Sequence, residues 1–205
     1  MHSGKRRPEF LLFFLPLLIL ALFLKGAVSK SCAQSQKEKL LSTFGEGKVT
    51  VRLYTDYFCS PCKAMEPQVE PLLRQLVNEN VINLTFIDTP FYRFSALYAR
   101  YFLYALNGNN KTLDYAFSVR NALIEASNKK IESIEKLEGH LESKGIKINK
   151  FDPRPIFDAF TKYLQEDRIN ATPTCVIIRD GKKESYVGGK DIIDALNTLL
   201  KKGKE

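Results

Sequence analysis

Positions 49–54 read VTVRLY, β-branched and alternating, which predicts a strand. After a short interval, Met65, Val69, Leu72, Leu73, Leu76 and Val77 recur at three- and four-residue spacing, the period of a helix with one buried face. In INLTFI, Ile82–Ile87, alternation returns, with Ile82, Leu84 and Phe86 on one face of a strand. Strand, helix and strand in that order predict a parallel pair. Residues 92–168 differ: FSALYARYFLYAL, LDYAFSVRNALIEA, IESIEKLEGHLESKG and IFDAFTKYLQEDR all follow the helical period, with breaks such as NGNN between them. TCVIIRD, Thr174–Asp180, then reads as a buried strand, Asp180-Gly181 as a hairpin turn and KKESYVGG as the return strand. Ile192, Ile193, Leu196, Leu199 and Leu200 mark one face of a last helix, with Lys201 and Lys202 suited to its C-terminal dipole. The predicted order is β-α-β, a helical block, then β-β-α, an α/β chain. Ahead of it, residues 30–48 are polar, with a short helical pattern around Lys37–Phe44 that GEGK breaks.

The first 29 residues follow a different pattern. Lys5, Arg6 and Arg7 precede an apolar run of 15 residues, Phe10–Leu24, and AVS, Ala27–Ser29, offers small residues for a peptidase. This matches a secretory signal peptide. The alternative is an uncleaved membrane anchor, for which the run is short of the roughly 20 apolar residues of a spanning helix. Both place the remaining chain outside the cytoplasm, in a periplasmic or other extracytoplasmic space, where disulfides persist.

Composition adds little to this. The chain has 205 residues, 44% of them hydrophobic, enough for a core. The formal charge is +8, and beyond residue 29 the count is 27 basic against 22 acidic residues, spread along the chain. That mild excess, without an RNP-type aromatic pattern or zinc-finger spacing, predicts no nucleic acid partner.

The candidate chemistry lies in YTDYFCSPCKAMEP, Tyr54–Pro67. Cys59 follows the strand and precedes the helix, so it falls near the N-cap, where unpaired N–H groups and the dipole favour a thiolate. Pro61 suits a first turn that needs no N–H. Cys59 is therefore predicted to be the exposed attacking sulfur, and Cys62, one turn in, the buried resolving one. A metal site would need further ligands, and the candidates Cys32, Cys175, His2 and His140 supply no second C-x-x-C. A purely structural bridge across so small a loop would restrain little chain. Cys175, in an apolar strand, reads as a buried small hydrophobe.

CSPCKAMEP resembles the active site of the thioredoxin superfamily, with Pro67 where that family kinks its active-site helix. ATPT, Ala171–Thr174, resembles its cis-proline loop, with Pro173 as the cis residue. YTDYFCSPC and the helical block before ATPT are similar to the DsbA-like branch of periplasmic thiol:disulfide oxidoreductases. The resemblance covers about residues 49–205 and implies a thioredoxin-like fold with an inserted all-helical domain. Residues 49–91 and 169–205 would form the thioredoxin-like domain and 92–168 the insertion. It implies catalysis by Cys59 and Cys62, client binding by Thr172, Pro173 and Thr174, and support from Ser60, Pro61 and Asp56. No metal or organic cofactor is implied. The implied partners are unfolded or thiol-bearing exported proteins and a membrane redox protein that resets the pair.

There are departures. Leu53 stands six residues before Cys59, where the family often buries a carboxylate, and Asp56 is expected to be more exposed, with a strand-end turn as its other reading. Ser60-Pro61 is not the Pro-His of strongly oxidising members. The leading expectation is thus an exported thiol:disulfide oxidoreductase. The alternatives are a reductant serving cytochrome or copper-site assembly, a metal-carrying chaperone, and a redox-inert peptide binder.

Overall fold

The computed structural model describes residues 43–108 and 111–202. The predicted signal or anchor segment, Cys32 and most of the 30–48 segment lie outside the described residues. Five strands form one sheet: β1 (Thr43–Phe44), β2 (Val49–Thr55), β3 (Ile82–Asp88), β4 (Thr174–Arg179) and β5 (Lys182–Val187). The helices are α1 (Ser60–Asn78), α2 (Ser95–Leu106), α3 (Leu113–Asn128), α4 (Ile134–Ser143), α5 (Arg154–Glu166) and α6 (Gly189–Lys202). The expected helical turn at Lys37–Phe44 is corrected at its end. Thr43 and Phe44 pair antiparallel with Thr85 and Leu84, because Phe44 buries its ring against Phe86, at the sheet edge.

Sheet order is β1-β3-β2-β4-β5. β2 is central, parallel to β3 from Val49↔Ile82 to Thr55↔Asp88 and antiparallel to β4. The two faces of β2 serve two cores. Val49, Val51 and Leu53 join the main cluster with α1, α2, α3 and α6, while Tyr54 joins Ile87, Val176 and Phe160 of α5 on the other side. The helices between β3 and β4 therefore share the sheet's core: Phe102 and Phe117 both set their rings edge-on to Phe86.

Local signals fix the ends of these elements. Thr112 and Ser133 cap α3 and α4 by accepting from the N–H groups of Tyr115 and Lys136. Asp180 and Gly181 both have positive φ, 51° and 74°, as the tight hairpin between β4 and β5 requires. α1 runs unbroken through Pro67 and Pro71 and ends where Asn80 turns left-handed. Its buried stripe, Cys62, Met65, Glu66, Val69, Leu73 and Leu76, is apolar but for one carboxylate.

Candidate active site

The turn between β2 and α1 is built by Asp56. Its Oδ1 accepts from the N–H of Phe58 at 2.8 Å, and its carbonyl from the N–H of Cys59 at 3.2 Å. Its Oδ2 accepts from the N–H of Phe91 at 3.1 Å, fastening the segment after β3 to the Cys turn. Asp56 is buried, which corrects the expected exposure: each carboxylate oxygen is aimed inward at a backbone donor.

Cys59 is the N-cap of α1, and its Sγ accepts from the N–H of Cys62 at 3.3 Å. The Cys62 thiol approaches the same sulfur at 2.6 Å. On its other side the Cys59 Sγ lies 3.3 Å from the carbonyl oxygen of Thr172, and the Thr172-Pro173 peptide is cis. Cys59, Cys62 and Cys175 are free thiols. The expected exposure of Cys59 is also corrected. Only 2% of its surface is open, because the Thr172 loop and Cys62 flank the sulfur. The neighbouring Ser60 and Pro61 are exposed. Cys62 is buried as expected; burial and the hydrogen bond to Cys59 push its thiol well above the ordinary range.

The remaining predicted residues fall on the same loop. Pro173 is buried and its carbonyl accepts from the N–H of Gly188. Thr174 is buried too, and its hydroxyl donates to the Ala171 carbonyl at 2.8 Å, so it shapes the loop from within. Around the pair, large apolar groups face solvent: Phe91 is 47% exposed, Tyr92 51%, and Val187, paired with Thr174, 52%. The Tyr92 phenol is raised above its ordinary value by partial desolvation, then by the charges of Cys59, Asp56 and Cys62 nearby. A shallow groove of about 490 Å³, lined by residues that include Pro61, Met65, Gly189 and Ile193, opens beside the front of α1. Cys175 is buried, and burial alone lifts its thiol to about 12. His140 is buried with Nε2 against the Ala122 carbonyl. Among the described residues, no group of three or more His, Cys, Asp or Glu could hold a metal ion.

Sequence reasoning missed the charged cluster beneath the turn. Arg120 of α3 is buried, and its Nε and Nη2 donate to the two Glu66 oxygens at 2.8 and 3.3 Å. Nη2 also donates to Thr55 Oγ1 at 3.1 Å, and Nη1 reaches Asp88 Oδ1 at 3.5 Å. The Tyr57 hydroxyl donates to Asp88 Oδ2 at 3.3 Å. Burial raises the Asp88 carboxyl to about 6, against the lowering effect of Arg120. Two signals were available: Glu66 on the face of Met65 and Val69, and Arg120 between Phe117, Val119 and Leu123.

The profile of the thioredoxin family matches residues 45–198, most of the chain, so the protein belongs to that family. Solved structures share its fold. One is ScsC of Proteus mirabilis in a transitional conformation, 20% identical, with a TM-score of 0.62 over 93% of this chain and 86% of that one. Another is a periplasmic thioredoxin-like protein from Salmonella enterica serovar Typhimurium, 19% identical, with a TM-score of 0.60 over 80% and 90%. A third is the thiol-disulfide exchange protein alpha-DsbA2 of Wolbachia pipientis, 21% identical, with a TM-score of 0.54 over 88% and 97%. No curated protein matches the chain.

Proposed function

We propose that the protein is an exported thiol:disulfide oxidoreductase that exchanges disulfides with secreted or periplasmic proteins through Cys59 and Cys62. The observation that carries this reading is the position of one sulfur. Cys59 Sγ caps a helix, meets its partner thiol at 2.6 Å and lies 3.3 Å from the carbonyl before a cis-proline. The exposed apolar rim of Phe91, Tyr92 and Val187 suits unfolded chains, whose apolar side chains are bare. The periplasmic relative and the N-terminal sequence support export. A membrane redox protein would reset the pair.

In the oxidising direction a client thiolate attacks Cys59 Sγ of the Cys59–Cys62 disulfide, and the Cys62 sulfur leaves with the bonding electrons and takes a proton. A second client thiolate then attacks the client sulfur of the mixed disulfide. The client disulfide forms, Cys59 leaves as the thiolate, and two electrons have passed to the enzyme. Run backwards, the same steps reduce a client. The burial of Cys62 favours its protonated form, which keeps it from releasing a bound client early.

The test is paired assays of insulin reduction and of oxidation of a reduced, unfolded client. Cys59→Ser is expected to lose both activities. Cys62→Ser is expected to accumulate mixed disulfides on Cys59. A correctly folded wild-type protein inactive in both assays would overturn the proposal. The equilibrium with glutathione fixes the favoured direction and separates an oxidant from a reductant.

A further inference from the structure

We infer that Arg120 is a positioning residue for the Cys pair: its guanidinium braces both arms of the turn that carries Cys59 and Cys62, and with Glu66 and Asp88 it sets the pair's thiol–disulfide equilibrium. This rests on the oxidoreductase reading above. Thr55 lies four residues before Cys59, and Glu66 four residues after Cys62. One planar group holds both, with Nη2 shared between Thr55 Oγ1 and Glu66 Oε2 and Nε on Glu66 Oε1. The same guanidinium reaches Asp88 at the end of β3, and Asp88 accepts from Tyr57, two residues before Cys59. Strand end, neighbouring strand end and helix are thus tied across the redox turn by a side chain from α3. The fork's planar geometry makes this possible; a lysine offers a single point charge instead.

Stability alone is a weak reason to keep such a cluster. A buried ion pair can often be replaced by apolar residues without loss, because desolvation offsets its attraction. The rest of its surroundings are aromatic: the guanidinium carbon lies 4.6 Å from the Phe86 ring centre, 5.6 Å from Tyr57 and 6.0 Å from Phe102. What the charge does do is oppose two carboxylates behind the helix that bears the thiols. Without Arg120, whichever carboxylate stays ionised places negative charge there, which disfavours a thiolate and so favours the disulfide. The groups facing Asp88 are Arg120 from α3, Glu66 from α1, and Tyr57 and Asp56 from the turn. Protonating Asp88 changes the cluster's charge, so the redox equilibrium acquires a pH dependence beyond that of the thiols themselves.

The experiment equilibrates the full chain and its variants with glutathione buffers at about pH 5 and about pH 7, reading the oxidised fraction by alkylation and mass. Arg120→Met is expected to shift the equilibrium constant toward the disulfide by at least about tenfold, equivalent to about 30 mV more reducing. Arg120→Lys is expected to restore only part of the shift. Thr55→Val, which removes one arm and leaves the ion pairs, is expected to change the constant by about twofold or more. It decides the question if Arg120→Met does not fold. Variants with native circular dichroism but wild-type equilibrium constants at both pH values would overturn the inference alone. A wild-type protein that does not equilibrate with glutathione would overturn the oxidoreductase reading and this inference with it.

Discussion

At the scale of single residues, the site divides into groups that face the sulfurs and groups that hold the turn. Cys59 has little open surface, yet it borders the exposed Ser60 and Pro61, whereas Cys62 and Cys175 are buried within packed elements. Brief alkylation of the native reduced protein should therefore modify Cys59 first, with Cys62 and Cys175 reacting only on unfolding. Peptide mapping checks this, and equal labelling of the three would contradict the placement. Asp88 gives a second prediction. Its folded carboxyl titrates near 6, above its unfolded value near 4, so the folded state binds the proton more tightly. Stability should fall as pH rises through that window, by an amount on the order of 3 kcal/mol, with the cost fully present above it. Asp88→Asn should remove this component, which urea unfolding of both proteins from about pH 4 to about pH 7 would measure. Leu53 marks what the sequence could not disclose. A missing acid is visible in one line of residues, but carboxylates supplied from α1 and β3 and paired by a distant arginine are not, because only tertiary packing brings them together. The burial of Asp56, unlike its strand-end turn, was not legible for a related reason: a strand-end aspartate is ordinarily solvated, and the inward donors that bury it come partly from Phe91, 35 residues away.

At the scale of elements, periodicity was a dependable guide where a segment was long enough to repeat. β2, β3, the β4–β5 hairpin and the helices between β3 and β4 lie where the alternating and helical patterns put them. β1 has two residues, too few for any period, and its pairing depends on β3. Two contacts between elements carry stability predictions. A Cβ on Gly47 would lie 2.2 Å from the backbone of Val81 and Ile82, so the approach to β2 tolerates no side chain. Gly47→Ala should cost more than about 2 kcal/mol, read as a lowered Tm. On the far face, Asp167 at the end of α5 accepts from Arg52 at 2.9 Å, from the Tyr54 hydroxyl at 2.5 Å and from Lys183. Those partners hold its carboxyl below its ordinary value even though burial acts to raise it. Its contribution is present above the unfolded carboxylate range and is lost as pH falls through the depressed folded value, a lower window than that of Asp88. Asp167→Ala should destabilise by about 2–4 kcal/mol near neutral pH, discounted for the part-exposed Lys183. Chemical denaturation would show it, and a cost below about 0.5 kcal/mol would contradict the anchoring role.

At the scale of the whole molecule, the order of strands and helices was legible in the sequence, but the intimacy of the parts was not. Residues 92–168 read as an insertion, a region set apart by its helical period. In the structure they supply Phe102 and Phe117 to the face of β3 and Arg120 to the base of the redox turn. The proposed export is tested on the same scale. Expressed with its full N-terminus, the chain should be accessible to protease added outside the cytoplasmic membrane, and its mass should reveal whether the leader is removed after Ser29. Retention in the cytoplasm would contradict this.

The origin of Arg120 also limits how the protein could be rebuilt. A trimmed version joining β3 directly to β4 would leave Glu66 and Asp88 without their counter-ion and remove two of the three rings packed on Phe86. Recombination with a smaller relative would meet the same obstacle unless both acids were exchanged along with the helices. Glu66, Asp88 and the helix that carries Arg120 are therefore one set, to be moved together in any redesign.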